Sequence, residues 1–228
     1  MRFDILTLFP EAFSGYFNSS LLKRAQTKKL LEIRLHNPRD FTNDKHRTVD
    51  DKPYGGGVGM VMKFEPIHKC LQSVLKTGKN KRLKTRIIVL SAKGKTLVQK
   101  KVRQLSRYQR LILVCGHYEG IDERVAKYLA DEELSIGNYV LTGGEAPAMV
   151  VVDAISRYVP GVLGKSKSTQ DESFSTGDLT EYPQYTRPEI IRVKSGKRNK
   201  LLRVPKVLLS GNHKKISVWR ESHREIVP

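Results

Sequence analysis

Residues 110–129, RLILVCGHYEGIDERVAKYL, decide the fold. Leu111 to Cys115 form a run without a polar side chain, the mark of a strand buried on both faces. Gly116 ends the run, and the spacing of YEGIDERVAKYL then predicts a helix. The pattern repeats on either side. RIIVLS (86–91) reads as another buried strand, and Leu97, Val98, Val102 and Leu105 mark the helix that separates the two. Downstream, ELSIGNYVL (133–141) predicts a short strand ending in a loop, and Glu145 to Tyr158 predict a long apolar helix. Strands that alternate with helices argue for an α/β fold, a mainly parallel sheet covered on both faces.

The amino-terminal part extends this pattern. Arg2 to Leu8 reads as a buried strand, Pro10 as a helix start, Leu21 to Leu31 as a helix and Glu32 to Leu35 as a strand. His36 to Lys63 is too long and too glycine-rich for a mere connector. Ile67, Leu71, Val74 and Leu75 give a helical stripe between Phe64 and Leu75. After Pro160 the composition shifts. Three parts are expected: an α/β domain over 1–160, a Gly/Ser/Thr-rich and acidic linker or active-site loop over 161–185, and a small, mainly helical basic domain over 186–228. Its last helix falls near His213 to Ile226.

Composition bounds the function. With 228 residues and 39% hydrophobic side chains the chain can bury a core. No apolar run approaches the roughly 18 residues of a membrane span. MRFDILTLFPEAF has Asp4 inside its apolar run, so it reads as a strand and not a signal peptide. Two cysteines, Cys70 and Cys115, exclude a disulfide scaffold and a cysteine-rich zinc site, and fit a reducing cytoplasm. The histidines show no metal spacing, and no metal ligand is expected from the chain.

The net charge of +19 is uneven. Lys76 to Arg110 hold thirteen basic residues and no acidic one, and Thr186 to Pro228 hold twelve basic and three acidic. A near-neutral body with two basic regions points to a polyanion, first of all nucleic acid. A merely solvated basic surface is the bland alternative. Neither region shows the aromatic amphipathic face of an interfacial helix, which argues against a membrane.

PYGGGVGMVM (53–62) is glycine-rich but follows TVDDK, which is no strand, so it is not a dinucleotide fingerprint. GVLGKS (161–166) lacks the first glycine of a phosphate loop, because Val159 stands there. Two other turns are more informative. Gly116 ends one strand with Tyr118 and Glu119 beyond it, and Gly137, Gly143 and Gly144 surround another. Ligands of open α/β sheets bind at such carboxyl ends, where glycine lets the backbone come close.

Taken together, DDKPYGGGVGMVM (50–62), CGHYEGIDERV (115–125), SIGNYVLTGGE (135–145), RYVPGVLG (157–164), YPQYTRPE (182–189) and VLLSGNHKKISVWR (207–220) resemble the bacterial tRNA (guanine-N1)-methyltransferases, the TrmD-like family. The resemblance implies a SPOUT-type α/β domain with a deep trefoil knot in its carboxyl half and a homodimer sharing its active site. It also implies methyl transfer from S-adenosylmethionine to N1 of the guanosine 3′ of the tRNA anticodon, position 37.

Guanine N1 is protonated near neutral pH, so its methylation needs a base, and charge then grows on O6. The resemblance gives Arg157 as the catalytic arginine. Its acidic position falls in Asp171-Glu172-Ser173-Phe174, where either Glu172 with its longer arm or Asp171 after a loop shift serves as base. For the cofactor it implies Leu90, Ser91, Gly116, Tyr118, Glu119, Ile136, Gly137, Asn138, Tyr139, Val140, Leu141, Gly143, Gly144 and Pro147. For the RNA it implies Gly59, Arg187 and Arg220, the two arginines holding the anticodon stem. The sulfonium donor is its own electrophile, though enzymes of this family are associated with Mg2+. Ala92 and Lys93 replace the usual Pro-Gln after the strand, and Val58 replaces a proline of the early loop. A non-catalytic RNA-binding relative, or a SPOUT enzyme acting on ribose or ribosomal RNA, would be the rivals.

Overall fold

The computed structural model describes residues 1–76, 83–164, 172–175, 177–195 and 198–226. They divide into two units, Met1–Ser166 and Lys167–Pro228. In the first, β1 (Arg2–Leu6) pairs in parallel with β2 (Glu32–His36), while β3 (Asp50–Asp51) and β4 (Val61–Met62) form a separate antiparallel pair. The strands β5 (Thr85–Thr96), β6 (Arg110–Cys115) and β7 (Glu132–Ser135) complete a five-stranded sheet in the order β2-β1-β6-β5-β7, parallel throughout.

The two-residue period of the strands separates two cores. Phe3, Ile5, Leu111 and Leu113 face one side, where the helices α2 (Ser20–Thr27), α4 (Gln99–Leu105) and α6 (Glu145–Ser156) cover them. A short α1 (Ser14–Phe17) precedes α2. Leu6, Ile112 and Val114 face the other side, against α3 (Phe64–Lys76) and Val125 of α5 (Glu123–Tyr128). In α3, besides Pro66 in the first turn, the buried side chains are Ile67, Cys70, Leu71 and Val74, the i, i+3, i+4, i+7 stripe of an amphipathic helix.

Two elements differ from expectation for local reasons. The helix expected from Tyr118 onward starts only at Glu123, because Tyr118 (φ +60°) and Gly120 (φ +136°) adopt left-handed conformations and Asp122 caps the helix by accepting from the Arg124 N–H. The short strand expected within 133–141 is β7, which ends at Ser135, and the loop that follows holds Gly137 at φ +154°. β5 runs beyond RIIVLS to Thr96, with a register shift between Leu90 and Lys95 against β7.

Asp4 is the polar exception in the sheet. It is fully buried, yet its carboxylate accepts from Arg2 Nη2 at 2.8 Å and Arg110 Nε at 2.7 Å and meets His36 Nε2 at 2.8 Å. Burial pushes its pKa up, but the hydrogen bonds from His36, Arg2 and Arg110 outweigh it and bring it down to about 2. A folded-state pKa below the ordinary 3.8 contributes stability that is present above that ordinary value and is lost as the pH falls toward 2. The contribution is about 2 kcal/mol. Asp4→Ala is therefore expected to lower unfolding free energy at pH 7 by roughly 3–5 kcal/mol, since two buried guanidiniums lose their partner. Urea unfolding from pH 6 to 2.5 checks this, and the variant should show a flatter acid dependence than wild type.

The second unit holds an antiparallel hairpin beside the helices expected there. β8 (Ile190–Ser195) and β9 (Arg198–Arg203) form that hairpin, in register from Ile190 opposite Arg203. Interleaved basic residues hide the signal of Ile190, Ile191, Val193, Leu201 and Leu202, which suit a pleated ribbon. Two helices follow, α7 (Lys206–Leu209) and α8 (His213–Ser222), the latter capped by Asn212 accepting from the Lys215 N–H. Part of the segment expected as linker belongs to this unit. Leu179 bridges Ile226, and the Thr180 N–H donates to the Glu225 carbonyl at 2.8 Å. Among the described residues no helix is long and apolar enough to cross a membrane.

Candidate active site

A cleft of about 320 Å³ opens in the first unit at the carboxyl ends of β6 and β7 and beside the middle of β5, where its register shifts. Leu90 and Ser91 come from β5, and Gly116, Tyr118 and Glu119 come from the turn after β6. Ile136, Gly137, Tyr139, Val140, Leu141, Gly143 and Gly144 come from the loop after β7, and Pro147 from the first turn of α6. Of the residues assigned to the cofactor, Asn138 alone does not line the cleft.

Backbone contact, not side-chain bulk, holds these turns together. The Gly144 N–H donates to the Gly116 carbonyl at 2.8 Å, and His117 and Gly143 form an isolated bridge. A Cβ on Gly144 would lie 2.6 Å from Cys115 Cα. The loop after β7 exposes apolar side chains beside the cleft, Val140 above all at 87% exposure. Both thiols are inert: burial pushes Cys70 up to about 12 and Cys115 well above its ordinary value.

Several cleft groups escape sequence reasoning. His117, read there as a turn residue, lines the cleft, and its ring packs 4.7 Å from that of Phe9. Glu145 of α6 accepts from the Thr7 hydroxyl at 2.7 Å, and its other oxygen stands 3.8 Å from His117 Nδ1. Lys93 donates to Glu123 at 2.6 Å, and that bond holds the Lys93 pKa above the ordinary lysine value. Only the turn segments gave a signal for these contacts. The pairs span long stretches of chain.

Gly59 (φ +82°) packs against the Glu119 side chain so closely that a Cβ would fall 2.5 Å from its Cγ. The glycine-rich early loop thus belongs beside the cleft, with Val58 91% exposed. The Met60 carbonyl accepts from the Glu119 N–H at 3.0 Å, and Arg39 donates to the Tyr118 hydroxyl at 3.1 Å.

Of the residues expected to do the chemistry, those described are not among the cleft's lining residues. Arg157 caps the far end of α6, ten residues beyond Pro147, which is roughly 15 Å of helix. It is half-buried and does not line the cleft. Glu172 lies in the second unit, where its carbonyl accepts from the Ser175 N–H at 3.1 Å and Ser173 Oγ accepts from the Glu181 N–H at 2.9 Å. Asp171 lies outside the described residues. Arg187 and Arg220 line a recess of their own within the second unit. Among the described residues no group of three or more His, Cys, Asp or Glu side chains is placed to hold a metal ion.

Comparison with known proteins bears on this arrangement as a whole. A family model described as tRNA (Guanine-1)-methyltransferase TrmD matches residues 1–226. A tRNA (guanine-N(1)-)-methyltransferase of Carboxydothermus hydrogenoformans is 54% identical over 221 residues, covering 97% of this chain and 81% of that protein. Proteins of the same name from Dictyoglomus turgidum (54%, covering 96% and 83%) and Geobacillus kaustophilus (51%, covering 97% and 85%) are similar to it as well. With the match running from β1 through the cleft to the end of the second unit, the chain belongs to the tRNA (guanine-1)-methyltransferase TrmD family.

Proposed function

We propose that this chain transfers a methyl group from S-adenosylmethionine to N1 of the guanosine 3′ of the tRNA anticodon, position 37. The observation that carries the reading is the cleft built on Gly116, Gly137, Gly143 and Gly144, in a chain of this family. Its size falls in the range of small-molecule sites. The residues suit the donor: Leu90, Ile136 and Leu141 offer apolar walls to an adenine, the close backbone offers N–H and C=O groups to its edge, and Glu119 offers a carboxylate to ribose or ammonium. S-adenosylmethionine supplies an electrophilic methyl carbon on a sulfonium.

The chain's own groups do the remaining work. A carboxylate, Glu172 or Asp171, takes the proton from guanine N1. The Arg157 guanidinium meets the charge that then grows on O6. The distance along α6 from the cleft to Arg157 supports a site completed by a second copy of the chain, as a shared homodimer site requires. The loop after β7 closing onto Gly116 supports a carboxyl-half trefoil knot. In this reading the first 160 residues form the knotted methyltransferase domain, 161–185 present the base, and 186–228 bind the anticodon stem through their basic residues, in the cytoplasm.

The test is transfer of labelled methyl from S-adenosylmethionine to a tRNA transcript with guanosine at position 37, against the same transcript with adenosine there, each with and without Mg2+. Methylation of the guanosine transcript alone is expected. A wild-type protein that binds tRNA and donor yet transfers nothing would make this chain a binding relative and end the catalytic assignment.

A further inference from the structure

The second unit carries a recess of about 660 Å³ whose chemistry exceeds what holding a stem requires. Leu208, Leu209 and Ile216 give it an apolar floor, Tyr185 an aromatic wall, and Arg187 and Arg220 a cationic rim. Neighbouring aromatic rings are already engaged. The Arg220 guanidinium lies over the Tyr182 ring at 4.7 Å, and Trp219 stacks on His223 at 4.0 Å. Tyr185 makes a looser, tilted contact with Trp219 at 6.4 Å and stays 49% exposed.

Stem phosphates ask only for cations and give no use to an aliphatic floor. An aromatic face beside guanidiniums is instead the equipment of single-stranded nucleic-acid sites, where a base stacks and its phosphate is neutralised. Glu189, the carboxylate among the lining residues, can accept from a base amino or imino group. We propose that this recess takes an unpaired nucleotide of the RNA substrate other than the methylated guanosine. Its base packs on Tyr185 and the floor, and its phosphate sits on Arg187 and Arg220. The proposal rests on the tRNA reading given above.

Trp219, the chain's single tryptophan, lies 6.4 Å from the Tyr185 ring, so its fluorescence reads the aromatic wall of this recess. The full chain is titrated with an anticodon stem-loop transcript and with a blunt RNA duplex of equal length. The stem-loop is expected to quench Trp219 and the duplex to leave it unchanged. Tyr185→Ala should weaken stem-loop binding about tenfold and duplex binding less than about twofold, whereas Tyr185→Phe behaves as wild type. Circular dichroism confirms that the variants are folded. Tyr185→Ala binding the stem-loop like wild type, or losing both RNAs equally, overturns the proposal. Methyl transfer by wild type is scored separately: its absence, with the stem-loop preference intact, would end the functional reading and leave the recess assigned.

Discussion

Glu172→Gln is expected to lower the methyl-transfer rate by roughly 10²–10⁴-fold, the usual loss when a positioned general base is removed. Glutamine keeps the shape and hydrogen-bonding reach of the side chain but cannot take the proton from guanine N1. Affinity for S-adenosylmethionine and for tRNA should therefore stay within about twofold, and the loss should fall on kcat. Asp171→Asn separates the two candidate bases. A normal rate in that variant makes the glutamate the base, and loss in Asp171→Asn with a normal Glu172→Gln makes it the aspartate. Single-turnover transfer to the guanosine-37 transcript reads each case. A normal rate in both variants would remove the carboxylate from the mechanism.

Gly144→Ala is the second large effect. The new methyl carbon would stand 2.6 Å from Cys115 Cα and 2.9 Å from the Gly116 nitrogen. Both are backbone atoms at the end of the central strand β6, so neither can step aside as a flexible side chain would. The loop after β7 must lift away, breaking the hydrogen bond from the Gly144 N–H to the Gly116 carbonyl. Donor binding should fall by at least about 100-fold, as geometry lost at the reacting centre costs, and overpacking should lower unfolding free energy by about 1–3 kcal/mol. Gly15→Ala is the control, because a Cβ there meets nothing within 4 Å. Calorimetric titration with S-adenosylmethionine and thermal unfolding measure the pair. Wild-type affinity in Gly144→Ala would mean that the loop is not held by this contact.

The sequence made the layers of the first unit legible because its signals there are periodic. Leu111 and Leu113 alternate with Ile112 and Val114, and Ile67, Leu71 and Val74 recur at helical spacing. The glycine turns were legible because glycine marks where backbone must approach backbone, as at Gly144. What escaped reading depends on contacts between distant stretches. Nothing near Thr7 announces Glu145, 138 residues away, and nothing near Lys93 announces Glu123. Tyr118 takes a left-handed conformation that its residue type does not signal, so the start of α5 moved to Glu123. In the second unit the basic residues of β8 and β9 masked a ribbon. The distance from cleft to Arg157 follows from α6 being helical over twelve residues, but which neighbour Arg157 serves does not.

The strand order also sets a timetable for synthesis. One edge of β1 finds β2 as soon as residue 36 is made, but its other edge pairs with residues 110–114. At about 5–20 residues per second the growing chain spends roughly 4–15 s with that edge open. An open apolar strand edge invites pairing with other chains. Asp4 sits in the middle of the strand, and until Arg110 emerges it lacks one of its guanidinium partners. A charge that stabilises the finished sheet thus guards its nascent edge, making wrong partners costly until the right strand arrives.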